Sequence, residues 1–264
     1  MPASPSTSRN RSRRSYTAVI GVAVLAALAT VLIALPASLA THFLPKNVTA
    51  EDVSGSVWHG SAGKLIVSGG DAGALEWRLS PAALFSLTIA ADVHWVKVAF
   101  VIDASLKITP RGISARNVRG GGPLQDLGDI GLPGGARGTA VVAVAHVGAD
   151  AAHLSSIAGD LSVSDLSLQQ VGGGADLGNY VLHFGDTAVG PDGTINGQLS
   201  DAGGPLQVQG TVAVSPNMHT GTVSGTLKER SALPDALRNQ IEGIAQLRGR
   251  DPQGRIPVDL EFSL

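Results

Sequence analysis

This chain of 264 residues carries seven histidines, 21 acidic residues and many serines, so the first question is whether any spacing assembles a reactive site. His42, His59, His94, His146, His153, His183 and His219 are scattered, and no pair has the spacing of a helical zinc motif. Gly221-Thr222-Val223-Ser224-Gly225 lacks the nucleophile-elbow spacing, and its surroundings alternate as a strand instead of passing from strand to helix. Gly60-Ser61-Ala62-Gly63-Lys64 resembles half a phosphate-binding loop, but Leu65 stands where a hydroxyl would hold magnesium. Asp103, Asp160, Asp165, Asp186, Asp192 and Asp201 are solitary and sit at turn-like positions, where Asp favours local backbone hydrogen bonds. With no cysteine there are no disulfides, thiolate-bound zinc or cysteine nucleophile. No catalytic residue, metal or cofactor is expected, and no enzymatic activity.

The tryptophans say more. Trp58 lies between Gly55 and Gly60, and Trp77 lies in an alternating stretch just before Ser80-Pro81. Each offers a large apolar area and one N–H to satisfy. They read either as core anchors of the first hairpins or as a partner surface built from Gly55, Trp58, Gly60, Trp77 and Pro81.

What positions these residues is decided upstream. Residues 16–35, from Tyr16 through Leu25 to Leu35, are uncharged and long enough as a helix to cross the roughly 30 Å of a bilayer core. Arg9, Arg11, Arg13 and Arg14 precede the run without an acidic neighbour, so the positive-inside rule leaves the N-terminus in the cytoplasm and exports the rest. Ser38-Leu39-Ala40 has the small-x-small form of a cleavage site, which keeps a cleaved signal open as the alternative to a signal-anchor. The expected organisation is a basic tail over 1–15, a membrane span over 16–35, a Pro-containing connector over 36–52 and an exported domain over 53–264. Beyond the tail, 15 basic residues face 21 acidic ones, which argues against a nucleic-acid surface.

The exported part reads as mainly β. It has 34 glycines, few aromatics and a series of alternating segments: Leu75, Trp77 and Leu79 against Glu76 and Arg78, then runs over 87–98, 98–108, 113–118, 139–147 and 161–169. Further short strands follow to the closing stretch with Ile256, Val258, Leu260 and Phe262 on one face. Ser80-Pro81 predicts an N-capped helical turn, and the Gly/Pro-dense 120–138 predicts a loop. Leu233, Leu237, Ile241 and Ile244 recur at helical spacing, with Pro234 and Asp235 in the first turn and Gly249 at C′. Ile108-Thr109-Pro110 leading to Leu124-Gln125-Asp126-Leu127 has an echo in Val214-Ser215-Pro216 leading to Leu233-Pro234-Asp235-Ala236-Leu237. The expectation is one long, curved antiparallel sheet, in two similar halves, with a short C-terminal amphipathic helix.

Taken together, Leu35-Pro36-Ala37-Ser38-Leu39, then Ser54-Gly55-Ser56-Val57-Trp58-His59-Gly60-Ser61-Ala62, then Leu75-Glu76-Trp77-Arg78-Leu79-Ser80-Pro81 resemble the type II secretion system protein N family. Leu177-Gly178-Asn179-Tyr180, Gly203-Gly204-Pro205-Leu206 and Gly249-Arg250-Asp251 agree with it. The resemblance implies a bitopic inner-membrane protein with a periplasmic β-rich domain, in the machine that carries folded proteins from the periplasm across the outer membrane. It implies contacts with other inner-membrane subunits, extending to the secretin, and supplies no catalytic residues. It also favours a retained anchor over cleavage after Ala40. One functional expectation is a membrane-tethered, non-enzymatic scaffold subunit. The alternative is a membrane-anchored carrier or sensor of an apolar lipid in an open β-sheet trough, favoured if the apolar face is open and disfavoured if the C-terminal helix fills it.

Overall fold

The computed structural model describes residues 35–38, 44, 46–130, 135–150, 154–169, 171–186, 188–190, 192–216, 220–230, 233 and 235–263, without the side chains of 129, 130, 171–173, 236, 262 and 263. Tyr16, Leu25 and the four tail arginines lie outside the described residues. Among those described, no helix is long and apolar enough to cross a membrane.

Alternation of apolar and polar residues dictates strands with one face buried, and the chain lays them down one after another. Thirteen strands form one antiparallel sheet in strict sequence order: β1 Val48–Gly55, β2 His59–Val67, β3 Gly70–Leu79, β4 Ile89–Lys97, β5 Phe100–Thr109, β6 Gly112–Pro123 and β7 Ala136–Ala149, then β8 Leu154–Leu168, β9 Val171–Phe184, β10 Ile195–Asp201, β11 Leu206–Val214, β12 Thr220–Glu229 and β13 Ile256–Ser263. β1 and β13 each have one strand neighbour, so the sheet is an open meander with two edges. β1 opens at Val48, inside the stretch read as a connector.

One helix, α1 (Asp235–Arg248), interrupts the meander between β12 and β13. Its apolar stripe of Leu237, Ile241 and Ala245, preceded by Leu233, packs on Leu177 of β9, Leu206 of β11 and Ile256 of β13, the last with no exposed surface. A 14-residue helix is about 21 Å long, close to the roughly 19 Å from β9 to β13, so α1 lies across the strands. Its backbone comes close to both β9 and β13. Gly249, at φ 77°, closes the helix by donating to the Ala245 carbonyl at 2.8 Å, the C′ role expected of it. Arg250 then reaches Glu242 at 2.8 Å and Glu229 at 3.5 Å, tying the helix end to β12.

Two expectations need correction. Residues 120–123 and 136–138 are not loop: Gly120, Gly121, Gly122 and Pro123 end β6, Ala136, Arg137 and Gly138 open β7, and from Leu124 the chain leaves the sheet as a 3-10 turn (Leu124–Ile130). The glycines are there because β6 lies very close to its neighbours; a Cβ on Gly120 would stand 1.9 Å from the Val101 carbonyl oxygen. The Ser80-Pro81 start gives a 3-10 turn (Pro81–Ser86) with Pro81 at its N-terminus, but the Ser80 hydroxyl makes no capping bond.

The two similar stretches take equivalent roles. Each forms a hairpin turn and a strand, β6 or β12, and then a helical segment laid on the apolar face. Leu124 packs with Phe100 and Ala140 under the first, as Leu233 and Leu237 pack under the second.

Replacing Leu237 or Ile241 by Ala should lower stability by about 2–5 kcal/mol, because neither site can refill. Replacing the exposed Leu247 should change it by less than about 0.5 kcal/mol. Chemical denaturation of the full chain in detergent measures both. A second outcome concerns Tyr180, whose hydroxyl donates to the Leu177 carbonyl. Burial, and then the carboxylates of Asp201 and Asp176, push its pKa from the ordinary 10.0 up to about 12. The stability carried by its neutral form is complete below the ordinary value and lost as pH rises through about 12. Tyr180→Phe should therefore resist alkaline unfolding better than the parent, followed by circular dichroism against pH.

Candidate functional site

Antiparallel partners share a face, so register shows how side chains are sorted. One row across the sheet runs Val53, Ala62, Leu75, Trp95, Ile102, Gly120 and Val142, then Leu161, Leu182, Leu199, Gly210, Gly225 and Val258. Every strand contributes one residue, and none is polar. Only Ala62 is fully buried; the others keep part of their surface open. One strand position away, on the other face, the matching row runs Ser54, Ser61, Glu76, His94, Asp103, Arg119 and Ala143, then Asp160, His183, Gln198, Thr211, Ser224 and Asp259. The sheet is thus apolar on one face and polar on the other from edge to edge.

The apolar face is covered unevenly. α1 lies over its C-terminal part, and the 3-10 turn after β6 lies over its middle, with Leu124 and Leu127 on Phe100, Trp95, Ile102 and Val163. At its N-terminal end, over β1 and β2, no helical segment packs on it among the described residues. There a cavity of about 210 Å³ is lined by Leu44, Val53, Ala62, Leu65, Leu75, Trp77 and other apolar side chains. Lys97, on the same face, is buried and turns its ammonium to the Asp71 carbonyl at 2.8 Å.

The predicted surface residues meet at this end. Gly55 ends β1 at φ 86°, where a Cβ would stand 2.4 Å from the His59 carbonyl oxygen. The Trp77 indole lies against Gly60, with a Cβ there 2.5 Å from the ring, and donates its N–H to the Val57 carbonyl at 2.9 Å. The motif therefore builds a tight β1–β2 turn roofed by Trp77. Trp58 is half-buried in the turn, and its carbonyl accepts from the Leu79 N–H at 2.7 Å. Pro81 is exposed just beyond β3. Leu35 is held here too: its carbonyl accepts from the Val57 N–H at 2.9 Å, and Pro36 forms a β-bridge with Ser56. The end of the 16–35 run is thereby fixed to the mouth of the trough.

The polar face brings together some groups that sequence spacing left apart. His94 Nδ1 lies 2.7 Å from Asp103, His183 Nδ1 lies 2.7 Å from Asp160, and Ser105 donates to Asp92 at 2.7 Å. His59, Glu76, Asp92, His94 and Asp103 line one shallow groove of about 180 Å³, with His59 accepting from Arg78. A His–Asp pair suggests general-base chemistry, but the serine beside the His94–Asp103 pair, Ser105, gives its hydroxyl hydrogen to Asp92 and not to a histidine. No three His, Asp or Glu side chains converge as a metal site among the described residues. A wider groove of about 630 Å³ beside the β11–β12 turn is lined by Thr194, Ser215, Thr220, Thr222 and Glu261 among the described residues.

An open antiparallel meander with one apolar face defines a β-sheet surface protein without a catalytic constellation among its described residues. Residues 46–259 match the family model of type II secretion system protein N, and the chain belongs to that family. Membership gives it a role in type II secretion and implies a membrane-associated location among other components of that system. No curated protein and no solved structure matches the chain.

Because Gly60 is required by the Trp77 ring, Gly60→Ala should cost about 1–3 kcal/mol by overpacking. The cost should be smaller in a Trp77→Leu background, although the Ser56 carbonyl oxygen still crowds the new methyl at 2.8 Å. Denaturation of the four members of this double-mutant cycle measures the coupling.

Proposed function

We propose that the chain is a non-enzymatic, single-pass inner-membrane component of the type II secretion system, with its N-terminus in the cytoplasm and its sheet in the periplasm. The match over 46–259 carries this reading. The apolar run over 16–35 and the arginines before it supply the tether and its direction. The tether raises the local concentration of the sheet beside other inner-membrane subunits.

The sheet offers its partners an edge. β13 is blunted by Pro257 and by Arg248, whose guanidinium bonds the Asp259 carbonyl at 3.4 Å. Along Val48–Gly55 β1 has no strand on its outer side among the described residues, Pro36 bridging only Ser56 beyond its end, and it is the edge suited to strand addition by another subunit. A photoreactive residue at Thr49 in β1 should crosslink to other subunits of the machine in membranes. Recovery of the chain only as a free monomer, in cells that assemble the machine, would contradict this reading.

The open trough favours a second reading, a carrier or sensor of a lipid. Its support is the row of thirteen apolar or glycine positions, twelve of them partly exposed. Native mass spectrometry of detergent-extracted protein should then show bound lipid, lost on Leu75→Asp; repeated absence of lipid would remove this reading.

A further inference from the structure

Exposed apolar side chains are concentrated at one end of the strands. The 3-10 turn between β3 and β4 carries Leu84, Phe85 and Leu87, with Phe85 95% and Leu87 80% exposed. Behind them, Ile89, Ile108 and Ile113 pair across β4, β5 and β6 in one row and are also exposed. From Pro81 to Ala90 there is no charged residue. A cluster of this kind in water is unusual for a soluble surface and marks a site that meets another apolar phase.

Its location identifies that phase. In a meander, alternate turns lie at the same end, so the β3–β4 turn stands beside the β1–β2 turn. Hydrogen bonds join them in sequence: Leu35 to Val57, Trp58 to Leu79, and Ser80 to Ala90. Leu35 is the last residue of the 16–35 run, so the tip and the membrane exit are about two strand spacings apart, roughly 10 Å. The 16–35 run thus ends next to the tip at Leu35, and it is long and apolar enough to cross a bilayer. We propose that the 84–89 tip, with Ile108 and Ile113 behind it, is set into the outer leaflet of the same bilayer, at the headgroup–acyl boundary. It gives the sheet a second point of attachment, which stands the strands end-on to the membrane and fixes the trough mouth against it. This rests on the tether reading but needs none of the secretion partners.

The absence of cysteine makes the test clean, since a single introduced thiol is the sole labelling site. The full chain, carrying Phe85→Cys or Val98→Cys, is labelled with an environment-sensitive fluorophore and reconstituted into vesicles of phosphatidylethanolamine and phosphatidylglycerol. Val98 is 81% exposed in the β4–β5 turn at the opposite end of the strands and serves as the control. The expected result is a blue-shifted label at position 85, quenched several-fold more strongly by lipid-borne nitroxide than the label at 98. A label at 85 that stays in water on a chain that floats with the vesicles overturns the tip while leaving the tether standing. So does a label at 85 that is shielded by a second copy or a partner subunit instead of lipid. A chain that does not float with the vesicles removes the tether, and the tip with it.

Discussion

The structure depends on register. Thirteen strands keep one apolar position in line from edge to edge, although several hairpins contain bulges that could have turned the pattern over. A slip of one residue in any strand would put polar side chains into the trough and apolar ones on the polar face. The bulges do not disturb the row because the shift is taken up locally, as around Asn117, which adopts a positive φ opposite the irregularity between Asp103 and Ser105. Everything else follows from a sheet that is one-sided and open: helical segments must cover part of the apolar face, and the remainder is available for binding.

That coverage is graded along the chain. The C-terminal part is closed by α1 and by the ion pairs of Arg250 and Asp251 around its end. Arg255 secures this corner through its backbone N–H and guanidinium on Asp251; desolvation works against that carboxylate, but these bonds outweigh it and hold its pKa below the ordinary carboxylate value. Among the described residues β1 and β2 have no helical cover, and this part holds the glycine and tryptophan motif. A filled face and an open one therefore coexist in one sheet, and the expectation that one or the other would decide between scaffold and lipid site is replaced by a division of labour along its length. The covered part is packed into a core, while the open part lies beside Leu35, the last residue of the 16–35 run.

Much of this was legible in the sequence. The strand series, α1 with its Gly249 terminus and the echo between 108–127 and 214–237 all reflect local chemistry, periodicity and capping, which a sequence carries directly. The missing pieces depend on pairing. The hairpin that sets His94 opposite Asp103 turns on Val98-Ala99, and Val98 adopts φ 57°, a left-handed conformation that a β-branched residue disfavours, so no turn signal marks it. Residues 120–122 resemble a loop by composition, yet close approach between strands is an equally good reason for glycine. Ser80-Pro81 predicts only an ordinary helical turn there, since exposure of Phe85 and Leu87 is fixed by the surrounding strands and not by their own spacing.

The proposed attachment to the membrane depends on the 16–35 run staying joined to the sheet. The most direct measurement is the intact mass of the chain extracted from membranes of cells that express it. Retention predicts a species of about 26.7 kDa that still carries Arg9 to Arg14 and the whole apolar run. A mature species shortened through Ala40 and recovered in the soluble periplasmic fraction would contradict it.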